Sequence, residues 1–335
     1  MTIASSGSFY LRETGEIRSV YEVFLLVECP FHVLNIFMLL LAPGLMFSCK
    51  MLANINLKII MISYLIASLL MSISRLSWLI SELFLLPIET MEVFMYSRFI
   101  FSTSISAHLF VLSAERAIAT CRSKRYEQNS GYPIIIACCV LTYPYALFQL
   151  YSKYSFTKGR EINVITIVVL SLFSLFVTTV VLFTNKQKVK HRRFKSPISE
   201  AYQVRENIRT SRLLLQMFSL AGIFLATSCY FLLQFSASLT DPKKNWSTIT
   251  NGFIYDMLTV TGTACSTAVF LNFLVPDERK FLGLIYLPCH HQIVAPSEKR
   301  PSFKNIHGVE VEIGVGTAEE EARVYFSQLS AAWKL

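Results

Sequence analysis

Seven apolar runs, each long enough to cross a bilayer as a helix, constrain this chain more than any other feature. A hydrocarbon core about 30 Å thick takes roughly 20 helical residues. The runs Tyr21–Phe47, Ile59–Leu86, Val93–Ala114, Pro133–Tyr151, Ile162–Phe183, Leu213–Leu239 and Gly252–Val275 approach or exceed that length. Inside hydrocarbon every backbone N–H and C=O must be paired within protein, which leaves helices or a closed barrel. A barrel strand reads as a short alternating stretch, whereas these runs are continuous. The expected fold class is therefore an all-α membrane protein, a seven-transmembrane-helix bundle. Composition agrees: 53% of the residues are hydrophobic, 16% are charged and 26 are Phe, against roughly 25% charged in an ordinary soluble domain.

The net charge of +9 would suit a nucleic-acid partner if it covered one face. Instead the basic residues fill the gaps between apolar runs, as membrane topology requires, so nucleic acid is excluded. With the N-terminus outside, 22 of the 31 Lys and Arg lie in inner stretches and 8 in outer ones. That bias predicts an outer N-terminus and a cytoplasmic C-terminus. Residues 1–20 then form an extracellular tail, 21–280 the membrane domain and 281–335 a cytoplasmic tail. The polar stretch Met1–Val20 has no apolar h-region, so the first run is expected to act as an uncleaved signal-anchor. The sequon Asn245-Trp246-Ser247 falls in the outer loop between runs six and seven, which makes Asn245 a candidate glycosylation site. In the tail, Phe281–Leu287 is expected to form a short interfacial helix. That would set Cys289 at the membrane surface as a candidate palmitoylation site.

No hydrolase, phosphate-loop or metalloprotease motif is present, and Cys289-His290-His291 lacks further ligands at zinc spacing. No cofactor or metal is expected, and the protein is not expected to be an enzyme. The eight cysteines are too scattered for a disulfide framework.

Ionisable groups inside apolar runs are costly and must face protein or water. Glu28, His32 and Asn35 fall at i, i+4 and i+7 on the first run; Arg75 and Glu82 share a face on the second. Asp256, Thr259 and Thr263 form a stripe on the seventh, and His108 lies deeper on the third. Glu28, His32, Arg75, Glu82, His108 and Asp256 are therefore the candidate ligand-binding residues. Three roles remain open for Arg75: a pocket wall, an ion pair with Glu28, Glu82 or Asp256 that ties helices together, or a side chain snorkelling to the headgroups.

At the inner end of the third run the sequence reads Glu115-Arg116-Ala117-Ile118-Ala119-Thr120. Before the sixth it reads Tyr202-Gln203-Val204-Arg205-Glu206-Asn207-Ile208-Arg209. The first word resembles the E-R-x-x-A-T signature of nematode chemosensory receptors. The second resembles the Y-Q-x-x-E-N-x-R word of the serpentine receptor class epsilon family. The resemblance implies a G-protein-coupled chemosensory receptor at the plasma membrane, with sensory-neuron cilia as its site. Its partners would be a small-molecule ligand, a heterotrimeric G protein and membrane lipids. Glu115, Arg116, Tyr202, Arg205, Glu206, Asn207 and Arg209 become candidates for G-protein coupling. Pro197, preceded by Ser196, is expected to open a helix running through Ser199–Arg212 into the sixth run.

Two rhodopsin-like features are missing. Neither Glu89–Arg98 nor Ser152–Glu161 contains Cys, so the usual outer disulfide cannot form, and the seventh run ends Leu271-Asn272-Phe273-Leu274-Val275-Pro276 in place of N-P-x-x-Y. The competing class is a seven-helix transporter or ligand-gated channel subunit, which would line a through-path with polar groups.

Overall fold

The computed structural model describes residues 15–48, 54–122, 132–155, 159–191, 198–238, 245–274, 302–304 and 310–312, apart from some side chains near helix ends. The chain divides into two compact units, Met1–Leu282 and Gly283–Leu335. Among the described residues the first contains seven helices: α1 (Gly15–Ser48), α2 (Ile55–Leu83), α3 (Ile88–Cys121), α4 (Tyr132–Ser155), α5 (Gly159–His191), α6 (Ile198–Ser238) and α7 (Asn245–Leu274). Within the second, β1 (Ser302–Lys304) pairs antiparallel with β2 (Glu310–Glu312). Phe281–Leu287, Cys289, Ser196 and Pro197 lie outside the described residues, as does the side chain of Asn245, the first residue of α7.

Among the described residues, six helices are long and apolar enough to cross a membrane on their own. The exception is α3, which carries Glu89, Glu92, Arg98, Glu115 and Arg116 and the hydroxyls of Ser102, Thr103, Ser104 and Ser106. Its position explains this. It packs against α2, α4, α5 and α6, so its polar groups face protein. The helices close a ring, with α7 packed against both α6 and α1, and α1 against α2. On the outside of the ring, α5 shows Ile165, Val169, Leu172, Phe176 and Phe183, a row at helical spacing that hydrocarbon can cover.

The buried stripe of α1 runs Leu25, Glu28, His32, Asn35, Leu39, Ala42 and Met46, alternating steps of three and four. Its first half is polar and its second apolar, and the whole bundle follows that division. The apolar core gathers Leu39 and Met46 of α1, Leu57, Ile60 and Met61 of α2, Leu112 of α3, Leu214 and Met217 of α6, and Phe270 of α7. These sit late on α1, α3 and α7 and early on α2 and α6, so they share the end of the bundle where α1 finishes.

Two connections fix the geometry. α2 ends in a left-handed residue, Leu85 at φ 54°, and the Leu86 N–H reaches back to the Ser81 carbonyl at 2.9 Å. That is the Schellman closure, which normally uses glycine. Pro87 then caps the start of α3. At Gly262 on α7, an added Cβ would lie 2.7 Å from Phe224 Cβ, so glycine lets α6 and α7 approach closely.

Candidate functional site

At the end of the bundle where α1 begins, the helices enclose a cavity of about 420 Å³. Its walls come from every helix but α4 over most of their area, and α4 adds Lys153. Apolar side chains such as Phe24, Met71, Leu109, Phe218 and Leu232 form most of the surface. A compact charge cluster sits against them.

Arg75 of α2 holds Glu28 of α1 through two parallel bonds, Nε to Oε1 and Nη2 to Oε2, both 2.7 Å. Its Nη2 also donates to Asp256 Oδ2 of α7 at 2.5 Å. The other carboxylate oxygen of Asp256 accepts from Arg98 Nη2 of α3, again at 2.5 Å. Asp256 is thus shared by two guanidiniums, one on each oxygen. The Arg75 guanidinium lies 4.3 Å above the Trp78 ring, an arrangement that stabilises a partly desolvated cation. His32 supports Glu28 at 3.1 Å, and Asn35 donates to Ser72 Oγ of α2 at 2.8 Å. Burial of so many ions is tolerable because each is paired and hydrogen-bonded.

Of the ligand candidates read from sequence, Glu28, Arg75 and Asp256 line the cavity, while His32, Glu82 and His108 are absent from its wall. His108 binds Ser63 Oγ at 2.6 Å and the Ser104 carbonyl at 2.7 Å, so it ties α3 to α2 and does not floor the cavity. Glu82 is buried away from the wall. Among the roles left open for Arg75, snorkelling is excluded by its burial, and the ion pair with Glu28 and Asp256 is present.

Arg98 and Lys153 are the wall residues that sequence reasoning missed. Neither is among the ligand candidates read from sequence, because both lie near helix ends, where a basic residue is ordinary. The signal lay in Asp256: an acid inside an apolar run needs cations, and one arginine leaves an oxygen over.

Eighteen residues beyond Arg98, a second polar knot lies on the same helix. Arg116 is fully buried. It donates Nε and Nη2 to the two oxygens of its neighbour Glu115 at 2.5 and 2.6 Å. Its Nη1 reaches α6, to Asn207 Oδ1 at 2.9 Å and Thr210 Oγ1 at 3.2 Å. Thr120 accepts from Asn185 Nδ2 of α5 at 2.8 Å. Glu206 accepts the Asn54 N–H at 3.3 Å, at the start of α2. The residues of the two sequence words therefore bond to one another, Arg116 to Asn207. Arg205 and Arg209 are exposed on the same stretch of α6, Glu206 is half-buried, and the side chain of Tyr202 lies outside the described residues.

A family model described as the Sre G protein-coupled chemoreceptor matches residues 82–334, which includes both words and five of the seven helices, α3 to α7. The chain belongs to the Sre family. It is accordingly a multi-pass membrane protein and a chemoreceptor of the G-protein-coupled type, in a receptor family with no enzymatic description. No curated protein matches the chain. In this Sre receptor, then, α3 carries an arginine on the cavity wall at one end and the family word at the other.

Proposed function

We propose that this Sre receptor takes a small environmental molecule into the cavity and passes the event to a heterotrimeric G protein at the opposite end of the bundle. The observation that carries the reading is that α3 runs unbroken from Arg98, at the cavity wall, to Arg116, in the knot with α6. Those residues lie about 27 Å apart at 1.5 Å per residue. α3 and α7 are not packed side by side, so the Arg98–Asp256 pair bridges them across the cavity. A ligand that disturbs that bridge changes the seating of α3. A shift of α3 strains the bonds from Arg116 to Asn207 and Thr210. Their release parts α3 from α6 and opens Glu115 and Arg116 beside the exposed Arg205 and Arg209.

The cavity end faces outward in this reading, as the bias of 22 inner to 8 outer basic residues requires. Asn245 then faces the lumen during synthesis and accepts a glycan, and the receptor acts at the plasma membrane. The apolar core beneath the cavity supports a receptor over a transporter or channel subunit, since a through-path would need polar groups where Leu112, Leu214 and Phe270 lie.

The test is a chemical screen in cells that express the chain with a G-protein activation sensor. Thr259 lines the cavity, and its hydroxyl bonds only back to its own helix, at the Tyr255 carbonyl. Thr259→Trp therefore fills the cavity without cutting a tie between helices. Responses should vanish in this variant at unchanged surface level; responses that persist would remove the cavity from the mechanism. A glycosidase-sensitive mobility shift lost in Asn245→Gln checks the orientation.

A further inference from the structure

Building on that ligand-binding reading, we infer that the ligand is a small organic anion, a carboxylate on an apolar body, whose head takes Arg98 from Asp256. The charged residues on the cavity wall are three cations, Arg75, Arg98 and Lys153, and two carboxylates, Glu28 and Asp256. The carboxylates are already committed. Glu28 holds Arg75 with both oxygens, and each oxygen of Asp256 accepts from a different guanidinium. A cationic ligand would meet acids already neutralised by arginines and a wall with one more cation than carboxylates.

The arginines differ. Arg75 forms three of its bonds to Glu28 and Asp256, and its side chain is 6% exposed. Arg98 is 16% exposed, and among the described residues it uses a single N–H, toward Asp256. A guanidinium has five N–H groups in a planar fork that suits a carboxylate bidentately. The remaining donors of Arg98 are the strongest anion-binding capacity on the wall. Lys153, with its ammonium 4.5 Å from the Phe99 ring, adds a second positive contact beside it.

The rest of the cavity describes the rest of the molecule. The wall is mainly apolar, which fits a hydrocarbon body. Thr103, Ser171, Ser228 and Ser266 also border it, and their buried hydroxyls have no partner among the described residues. A head that reaches one of these hydroxyls gains a hydrogen bond, which offsets part of its desolvation cost. A head that replaces Asp256 at Arg98 exchanges one carboxylate for another. The pairing of Arg98 survives while the α3–α7 bridge breaks, which is the disturbance that the signalling reading needs.

The experiment uses the full chain in nanodiscs of uncharged phosphatidylcholine. Hexanoate, octanoate and decanoate are compared with the alcohols and amines of the same chain lengths, by displacement of a labelled carboxylate and by thermal stabilisation. Carboxylates should bind at least about tenfold tighter than the matched alcohols, the scale of one charge-assisted contact. Arg98→Gln and Lys153→Gln should weaken them. Asp256→Asn should strengthen them, because it removes the competitor for Arg98; a merely structural role for Asp256 predicts the opposite. If Arg98→Gln does not fold, Lys153→Gln and Asp256→Asn carry the test, and unchanged carboxylate affinity in both overturns the inference. Alcohols or amines that bind as well as carboxylates, and are lost in Thr259→Trp, would sink the anion while leaving the cavity as the ligand site. Carboxylates that bind equally in Thr259→Trp would sink both. The absence of binding by every carboxylate overturns the inference, and a neutral or cationic hit in the cell screen would then show the receptor reading intact.

Discussion

The two ends of the bundle solve the same packing problem in opposite ways. Where α1 finishes, the helices meet through an apolar core that includes Leu39, Met46, Leu57, Ile60, Leu112, Leu214 and Phe270, and one buried arginine knot joins α3 to α6. Where α1 begins, they stand around a cavity and are tied by ions that reach across it. Dispersion needs continuous contact and is lost across a gap. Ion pairs act at points and leave the space between them free. The hollow end is thus held together by bonds that a polar molecule can replace, and the packed end by contacts that it cannot.

The sharpest way to break that contrast is to remove an ion from the hollow end. Arg75→Ala leaves Glu28, which is 1% exposed, without its bidentate partner. A broken buried pair costs about 3–5 kcal/mol, so the variant should lose most of its surface expression and unfold at a clearly lower temperature in detergent. Arg75→Gln with Glu28→Gln should recover much of the loss, because no uncompensated charge then remains. Failure of the double variant to recover would mean that packing of Arg75 on Trp78, not charge, holds this end.

The packed end should respond to volume. Leu112→Ala, at a fully buried position, should cost about 2–5 kcal/mol in thermal or denaturant unfolding. Met95→Ala on the cavity wall should cost well under half of that, since its side chain already borders open space. Equal costs would erase the distinction between the ends.

Asn207→Ala sharpens the comparison at the knot. It removes a hydrogen bond to a charged group, worth about 1.5–3 kcal/mol, and should raise ligand-independent G-protein activation while the cavity still binds ligand. A basal signal no higher than that of the unmodified receptor would detach the knot from signalling. The smallest expected effect is local. Asn54 caps α2 by accepting from the Asn56 and Leu57 N–H groups, and Asn54→Ala should cost about 1 kcal/mol of stability with ligand affinity unchanged.

Much of this was legible in the residues. Seven apolar runs gave seven helices within a few residues at most ends, because a bilayer leaves a chain few other choices. The long helical extension before the sixth apolar run also reads from the sequence and is present in α6. The 3.6-residue period placed Glu28, His32 and Asn35 on one buried stripe. Periodicity reports which face of a helix is polar, and it says nothing of which neighbour that face meets. Hence Glu28 and Asp256 read as candidates from the sequence, Arg98 does not, and His108 reads as one although it ties α3 to α2 away from the cavity wall.

What the sequence by itself determined is the solvent, the helix count, the placement of charge along each helix and, through two short words, the family. Those properties are local: they depend on residue type and spacing along one axis. Only the tertiary structure decided that Asp256 joins two arginines from different helices, that Arg116 is closed against Asn207, and that the polar halves of the helices surround a space instead of filling it. Those follow from how seven helices rotate and tilt against one another, and the smallest determinants, such as the missing Cβ of Gly262 against Phe224, act through neighbours that lie far away in the chain.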